Sequence, residues 1–553
     1  ERGERGLAPA VDVHTVIYNM SEQPQFIDPC FNHTIGGGNV ISNCFEGLTR
    51  VEPGGGIGPG VAASWEVSAD GLTWDFTLRP SARWSDGRPV VAEDFRYAWL
   101  RVLEPRHAAA YAVFLYPIAG AEDYNKRVTL DPSAVGIDAV DDHHLRLRLV
   151  RPVPYLEELL SFGTFMPVRR DVVEAAALAS GFASPELAAT RWTLQHETYI
   201  GNGAFMMDAY ERGHIIEFVP NPEYWDRGSI RLDRVRYLLI DSAQSEYIAY
   251  RTGQIDVTYA IPYADLPQIR EAMPGHLVSA PYIGIYYVAF NFRRPPFDDV
   301  RVRRAFSLAF DRDAIRREVN EGMCYTAHSF VPLGIRDADG VTEFCEVSGP
   351  LIPNQDIEEA RRLLAEAGYP GGRGFQTRSA TGEPIPTEYL YNTSERHKQV
   401  AERLQNMWRN ALGVDVELVN KEAQVFFSDR DHYNFTLARS AWIGDFSDPM
   451  TFLETYLSDS GNNRSGYASE RYDALIREAM NTPGRERYFE LCHEAERVLF
   501  EDAVLAPIWF YTNDFLMNPA IEGALIQPTG GVYFQYADWD REMLRAAGLE
   551  GNE

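Results

Sequence analysis

The chain has 553 residues, more than one core accommodates, because chains divide into domains beyond roughly 250–300 residues. Hydrophobic residues make up 45% and charged residues 24%, ordinary globular proportions, and the 29 Tyr, 29 Phe and 10 Trp suit large cores as well as an aromatic-lined cleft. Lys and Arg total 52 against 80 Asp and Glu, a net charge of −28 that repels phosphate backbones and anionic lipid and argues against nucleic-acid and membrane-surface roles.

In chain order, Trp74, Phe76 and Leu78 alternate with polar residues behind an Asp70-Gly71 turn, which predicts a half-buried hairpin. A turn at Ser85-Asp86-Gly87 precedes a short helix expected near residues 93–100. Leu145, Leu147 and Leu149 repeat the alternation until Pro152 and Pro154 end the strand. Ile215, Ile216, Phe218 and Val219 form another, closing at Pro220-Asn221-Pro222. Helices dominate the second half. Val302, Ala305, Phe306 and Ala309 recur at helical spacing behind Asp298-Asp299. Asp356 with Glu359 resembles a capping box and opens a helix that stops at Gly368, before Pro370. Ser394 opens a longer helix with Val400, Leu404, Met407, Trp408 and Ala411 on one face. It ends at Gly413, and Val414, Val416 and Leu418 then alternate as a strand. Such a mixture reads as α/β or α+β layers, with no internal repeat and no low-complexity tract.

No run of about 18 apolar residues occurs, so no bilayer span is expected. The opening Glu1-Arg2-Gly3-Glu4-Arg5-Gly6 reads as a processed start, any signal or lipid-anchoring cysteine having been removed. None of Cys30, Cys44, Cys324, Cys345 and Cys492 has metal-ligand spacing. Cys324 and Cys345 flank a Gly-, Pro- and Asp-rich stretch and are candidates for a disulfide in an oxidising compartment, with Cys30–Cys44 a second candidate.

The search for catalysis is mostly empty: no Gly-x-Ser-x-Gly elbow, no His-Glu-x-x-His and no phosphate loop. Gly54-Gly55-Gly56-Ile57-Gly58-Pro59-Gly60 lacks dinucleotide spacing and reads as a loop. His143-His144 after Asp141-Asp142 reads as a solvated turn, since adjacent strand residues point apart. Cys492-His493-Glu494 lies in helical surroundings without a second ligand pair and reads as structural. No catalytic residue, metal or cofactor is expected.

Tyr391-Asn392-Thr393-Ser394-Glu395-Arg396-His397-Lys398, then Arg430, then Ala438-Arg439-Ser440-Ala441-Trp442-Ile443-Gly444-Asp445 resemble the oligopeptide-binding proteins of ABC importers, solute-binding family 5. Pro59-Gly60-Val61-Ala62-Ala63-Ser64-Trp65-Glu66, Ala82-Arg83-Trp84-Ser85-Asp86-Gly87, Gly201-Asn202-Gly203-Ala204-Phe205, Gly253-Gln254-Ile255-Asp256-Val257 and Phe297-Asp298-Asp299-Val300-Arg301-Val302-Arg303 are similar too, collinearly over roughly residues 15–540.

The resemblance implies that Asp445 receives a peptide α-amino group and that Arg430, Arg439 and His397 meet peptide carboxylates at different peptide lengths. An arginine's fixed fork of donors suits that task, and His397 falls in a first helical turn, where amide dipoles favour an anion. Tyr111 and Trp442 match ligand-covering aromatics, Tyr287 is a third candidate, and Ala441, Ile443, His33 and Ile35 complete the expected lining. Strand edges between them would offer main-chain hydrogen bonds to an extended peptide. Three departures stand out. Ala423 replaces a wall tryptophan, His33 replaces a carboxylate near the cleft mouth, and neither Gly284 nor Ile443 is the cysteine that some relatives use for an interlobe disulfide.

The implied fold is α/β, two-lobed and periplasmic-binding-protein-like of the cluster C type, with an extra subdomain and a hinge. The expected boundaries are 1–45, 170–283 and 511–553 for lobe one, 46–169 for the extra subdomain and 284–510 for lobe two. The implied function is binding of peptides of about three to five residues by hinge closure, followed by delivery to ABC importer permease subunits. The protein would be a monomer in the periplasm or on the outer face of the cytoplasmic membrane, with or without a lipid anchor. The same scaffold dedicated to dipeptides or to a non-peptide solute (an opine, sugar or metal chelate) stays open, and a peptide hydrolase is the distant alternative.

Overall fold

The structure, a computed structural model, describes residues 12–179 and 190–547. It divides into two compact units, residues 1–280 with 514–553, and residues 281–513. The chain passes from the first to the second within the strand Leu277–Phe290 and returns within the strand Leu505–Leu516.

The first unit holds two four-stranded sheets. In one, Thr15–Asn19 pairs in parallel with Arg234–Leu238, followed by the antiparallel strands Ile215–Pro220 and Phe205–Glu211. Its core is aromatic: Tyr237 lies edge-on to Tyr18 at 5.1 Å and to Phe218 at 5.0 Å. The other sheet is antiparallel, in the order Ala62–Val67, Thr73–Leu78, His144–Arg148 and Ile137–Asp141. Its first hairpin turns where expected, with Gly71 at φ 71° and Asp70 Oδ1 accepting from the Leu72 N–H at 3.0 Å. The helix after Ser85-Asp86-Gly87 runs Ala92–Leu103, longer at both ends than the pattern suggests, because Asp94 accepts from the Val91 N–H at 3.0 Å and fixes the first turn.

Gly201-Asn202-Gly203 acts as a latch. A Cβ on Gly201 would fall 1.8 Å from the Cys44 carbonyl oxygen, and one on Gly203 2.6 Å from the Cys44 carbonyl carbon, so only glycine permits this approach. Between them Asn202 accepts from the Glu46 N–H at 3.1 Å and donates to the Glu46 carbonyl at 2.9 Å. The Glu46 carboxylate accepts in turn from Trp225 Nε1 at 2.6 Å and from the Tyr224 hydroxyl.

The second unit is built on a six-stranded sheet in the order Tyr325–Thr326, Leu505–Leu516, Leu277–Phe290, Leu437–Ile443, Glu388–Asn392 and Glu417–Lys421. Leu437–Ile443 runs antiparallel to Leu277–Phe290 but parallel to Glu388–Asn392, which is itself parallel to Glu417–Lys421. Val300–Leu308, Ile357–Glu366 and Glu395–Leu412 supply the helical layer, and one core joins their apolar faces to Tyr286, Val288, Phe290 and Leu437. Two of the marked helix ends are capped as the sequence indicates. Asp356 accepts from the Glu359 N–H at 3.0 Å, and Gly413 closes the longest helix at φ 70°. The strand expected from Val414 begins later, at Glu417: Val414 and Val416 are buried in the approach to the sheet without joining it.

The Phe297-to-Arg303 motif serves the fold. The buried Arg303 donates to the carbonyls of Phe297 at 2.8 Å and Asp502 at 2.6 Å. Arg312 repeats the device, donating to Pro507 at 2.8 Å, Asn354 at 2.8 Å and Ser307 at 2.9 Å. The disulfide candidates are not joined, since all five cysteines are thiols. Cys30 Sγ instead donates to the Arg101 carbonyl at 3.6 Å, and Cys324 Sγ accepts from Asn320 Nδ2 at 3.4 Å. Burial raises the thiols of Cys30 and Cys345 to about 12.

Replacing Asn202 by Ala removes both latch bonds and leaves buried Glu46 backbone groups unpaired, so unfolding free energy should fall by about 2–3 kcal/mol. A lowered urea midpoint checks this, and an unchanged midpoint contradicts the latch.

Candidate functional site

Ligands of open α/β sheets bind outside the carboxyl ends of the strands, where side chains and helix starts converge on space the sheet does not fill. In the second unit Glu388–Asn392, Glu417–Lys421 and Leu437–Ile443 are parallel and end on one edge. The helix Glu395–Leu412 begins just beyond Asn392, and the Ser394 side chain makes no capping bond there. Asn392 Oδ1, buried at the same edge, accepts no hydrogen bond.

His397 stands in the first turn of that helix, its Nδ1 3.2 Å from the Tyr286 hydroxyl and its ring 5.6 Å from the Tyr286 ring. Burial, then the charges of Arg439 and Arg396, hold its pKa down at about 4. At neutral pH it therefore brings a neutral imidazole to the site, not a second cation. Arg439 lies opposite Val288, on the side of the sheet that also carries Tyr286. Its guanidinium stands 5.5 Å from the Tyr286 ring and 5.8 Å from Phe426. Its Nε is buried without an acceptor, and among the described residues no carboxylate pairs with it.

Arg430, in the last turn of Ala423–Asp431, is 8% exposed and lies 5.1 Å from the Phe427 ring and 5.7 Å from Phe426. Its Nε has no hydrogen-bond acceptor. Burial, then the neighbouring Arg464 charge, pushes its pKa down. Tyr287 points to the opposite side of the sheet from Arg439, meets Phe330 edge-on at 6.0 Å, and lies within electrostatic reach of Arg430. Ala423 opens the Arg430 helix as its first residue, half-buried.

Asp445 follows the strand end. Its backbone N–H donates to Thr451 Oγ1 at 3.2 Å, while Trp442 Nε1 donates to the Thr451 carbonyl at 2.7 Å, so one threonine seats both. Gly444 is required between them, since a Cβ there would lie 2.9 Å from both Phe452 and Thr451 side chains. The Asp445 carboxylate is solvent-accessible but flanked by protein. Partial desolvation raises its pKa, and no described residue donates a hydrogen bond to it or pairs with it. Ala441 is half-buried and Ile443 exposed on the same strand.

His33, Ile35 and Tyr111 belong to the first unit. His33 is exposed, its Nδ1 3.1 Å from the Phe31 carbonyl, and Ile35 opens the helix Ile35–Cys44. Tyr111 stacks on Phe114 at 4.8 Å and meets Phe162 edge-on at 5.5 Å. Gly284 and Ile443 require a correction. They face each other on adjacent strands of the second unit, so cysteines there would bridge neighbours within one unit, not two lobes. Tyr286, Asn392 and Phe426 join the site without having been singled out. Tyr286 was recoverable only from the register that aligns it with Ala441.

His493 heads a chain with the look of a catalytic triad, its Nδ1 2.8 Å from Ser348 Oγ and its Nε2 2.7 Å from Asp337 Oδ2. The arrangement is not one. Ser348 Oγ donates to Glu496 Oε2 at 2.7 Å, a carboxylate that would repel a developing oxyanion, and Phe344 covers the ring at 3.9 Å. His144 pairs with Asp141 at 2.8 Å on an exposed hairpin, and no group of three or more metal-ligating side chains occurs among the described residues.

The sequence model of the bacterial extracellular solute-binding proteins, family 5 (Middle), matches residues 56–464. The chain belongs to this family. It is 34% identical over 518 residues to the periplasmic oligopeptide-binding protein OppA of Salmonella typhimurium, covering 93% of this chain and 90% of that protein. It is 32% identical over 529 residues to the dipeptide-binding protein DppE of Bacillus subtilis, covering 95% and 92%. The unliganded open form of the murein tripeptide-binding protein MppA superimposes with a TM-score of 0.83 at 30% identity, covering 96% of this chain and 98% of that one. No helix among the described residues of this family member is long and apolar enough to cross a membrane.

A pH linkage follows from His397. Because its folded pKa is depressed, the stability it contributes is present above about 6.5 and lost as pH falls toward about 4. A histidine NMR titration should give that low midpoint in the ligand-free protein, and Arg439→Gln should move it up. A midpoint near 6.5 in the unsubstituted protein contradicts the geometry.

Proposed function

We propose that this family member captures short peptides, of about three to five residues, as zwitterions and delivers them to the permease subunits of an ABC importer. One observation carries the reading. A carboxylate without a partner, Asp445, and two cations without hydrogen-bond acceptors at Nε, Arg439 and Arg430, share one unit. A ligand with an amine at one end and a carboxylate at the other satisfies both signs at once. The peptide-binding names of the relatives support the same conclusion. Binding without chemistry fits a site that offers charge and aromatic walls but no activated nucleophile. The protein would act as a monomer outside the cytoplasmic membrane.

Asp445→Ala should weaken binding of a tripeptide by about 2–5 kcal/mol, the loss typical of removing one partner from a desolvated charge pair. An N-acetylated tripeptide should bind the unsubstituted protein about as poorly. Calorimetric titration of free and acetylated peptides decides it. Equal affinities for the two would remove the amine anchor and favour a carboxylate-bearing, non-peptide solute.

A further inference from the structure

Arg430 is buried beside a carboxylate, Asp431, that it shares with a second arginine. Its Nε stands 3.7 Å from Asp431 Oδ1, beyond hydrogen-bond reach, while Arg464 Nε holds the same oxygen at 2.5 Å. Arg464 is not a loose surface arm. It sits between Asn463 and Ser465, both buried, whose side chains bond each other at 2.9 Å. Asn463 Nδ2 donates to the carbonyls of Leu457 at 3.1 Å and Tyr467 at 2.8 Å. The Phe292 N–H donates to the Ser465 carbonyl at 2.9 Å. The other side of the pair is clamped as well. Tyr433, two residues beyond Asp431, holds φ 60°, a left-handed conformation unfavourable to a residue with a Cβ. Its hydroxyl donates to the Asn463 carbonyl at 3.0 Å, and Arg293 covers its ring at 3.7 Å. Both chain segments are thus fixed at the backbone on either side of the Arg464–Asp431 pair.

We infer that Arg464 is a positioning residue: by engaging Asp431 at hydrogen-bond distance it keeps Arg430 from closing its own hydrogen bond to that carboxylate, so that Arg430 meets a carboxylate of the bound peptide. The inference rests on the peptide reading above and adds a determinant of which carboxylates the site accepts. Without Arg464, the Asp431 carboxylate needs only a small side-chain rotation to close 3.7 Å to hydrogen-bond distance and occupy Arg430. Arg464 touches no ligand in this account. It acts through Asp431.

The test is a double-substitution cycle read by calorimetry with tri-, tetra- and penta-alanine, each as free acid and as C-terminal amide. The readout is the acid-to-amide affinity ratio at the length where Arg430→Gln lowers it. Arg464→Gln should reduce that ratio about tenfold, Asp431→Asn alone should change it little, and the pair together should restore it. Arg464→Lys, which keeps a cation for Asp431, should retain most of the preference. Equal and opposite additive effects of the two single substitutions would reduce Arg464 to a contributor to the general field and overturn the inference. A double variant as weak as Arg464→Gln would assign it a structural role, with the same consequence. An unsubstituted protein that binds acid and amide alike at every length overturns the peptide reading itself, and this inference with it.

Discussion

A cation placed on the middle of a packed sheet destabilises the protein that carries it unless an opposite charge meets it. Arg439 stands on the fourth of six strands, beside a core that contains Tyr286, Leu437 and Trp408, and no described carboxylate answers it. Moving an ion out of water costs several kcal/mol even after relaxation, and attraction to an internal partner normally offsets part of that. On the proposed peptide reading, a ligand carboxylate would supply that offset. Asp445 presents the complementary situation at the strand end, partly desolvated and without a donor. The Arg439 Nε and the Asp445 carboxylate are thus already partly withdrawn from water, and the sheet edge holds both charges in place. Aromatic rings of Tyr286, Phe426 and Phe427 lie 5.1–5.8 Å from the guanidinium groups and supply apolar walls beside them.

Much of what makes the chain resemble its family is fold rather than site. Gly201-Asn202-Gly203 packs against Cys44 and Glu46, Arg303 ties off loop carbonyls, and Gly444 exists because no Cβ fits beside Phe452. These motifs would persist in a relative with another solute. The part that the proposed reading assigns to a ligand is smaller: among the described residues, Asp445 and Arg439 without ion-pair partners and Arg430 without an acceptor at Nε.

Legibility followed locality. The helix Glu395–Leu412 was readable from its apolar stripe and from Gly413, because capping and periodicity are properties of adjacent residues. The Asp70-Gly71 hairpin was readable for the same reason. The delayed strand at Glu417 was not, since Val414 and Val416 carry the alternation and the burial but lack a partner strand until Glu388 arrives from elsewhere in the chain. Asp445, Arg439, Arg430 and His397 were named from resemblance. The resemblance could not say that His397 would be neutral, which depends first on its burial and then on the charges of Arg439 and Arg396. Nor could it say that Arg464 would claim Asp431. The Ser348–His493–Asp337 chain was likewise invisible, its members lying 145 and 156 residues apart.

The most direct test of the account is mass spectrometry of whatever ligand is released when the purified protein is denatured. A ladder of mixed short peptides with free termini is the predicted result, because the proposed anchors would read the ends of the peptide and not its side chains. A single dominant mass lacking either an amine or a carboxylate would contradict it, and the unpaired charges at the sheet edge would then need another partner.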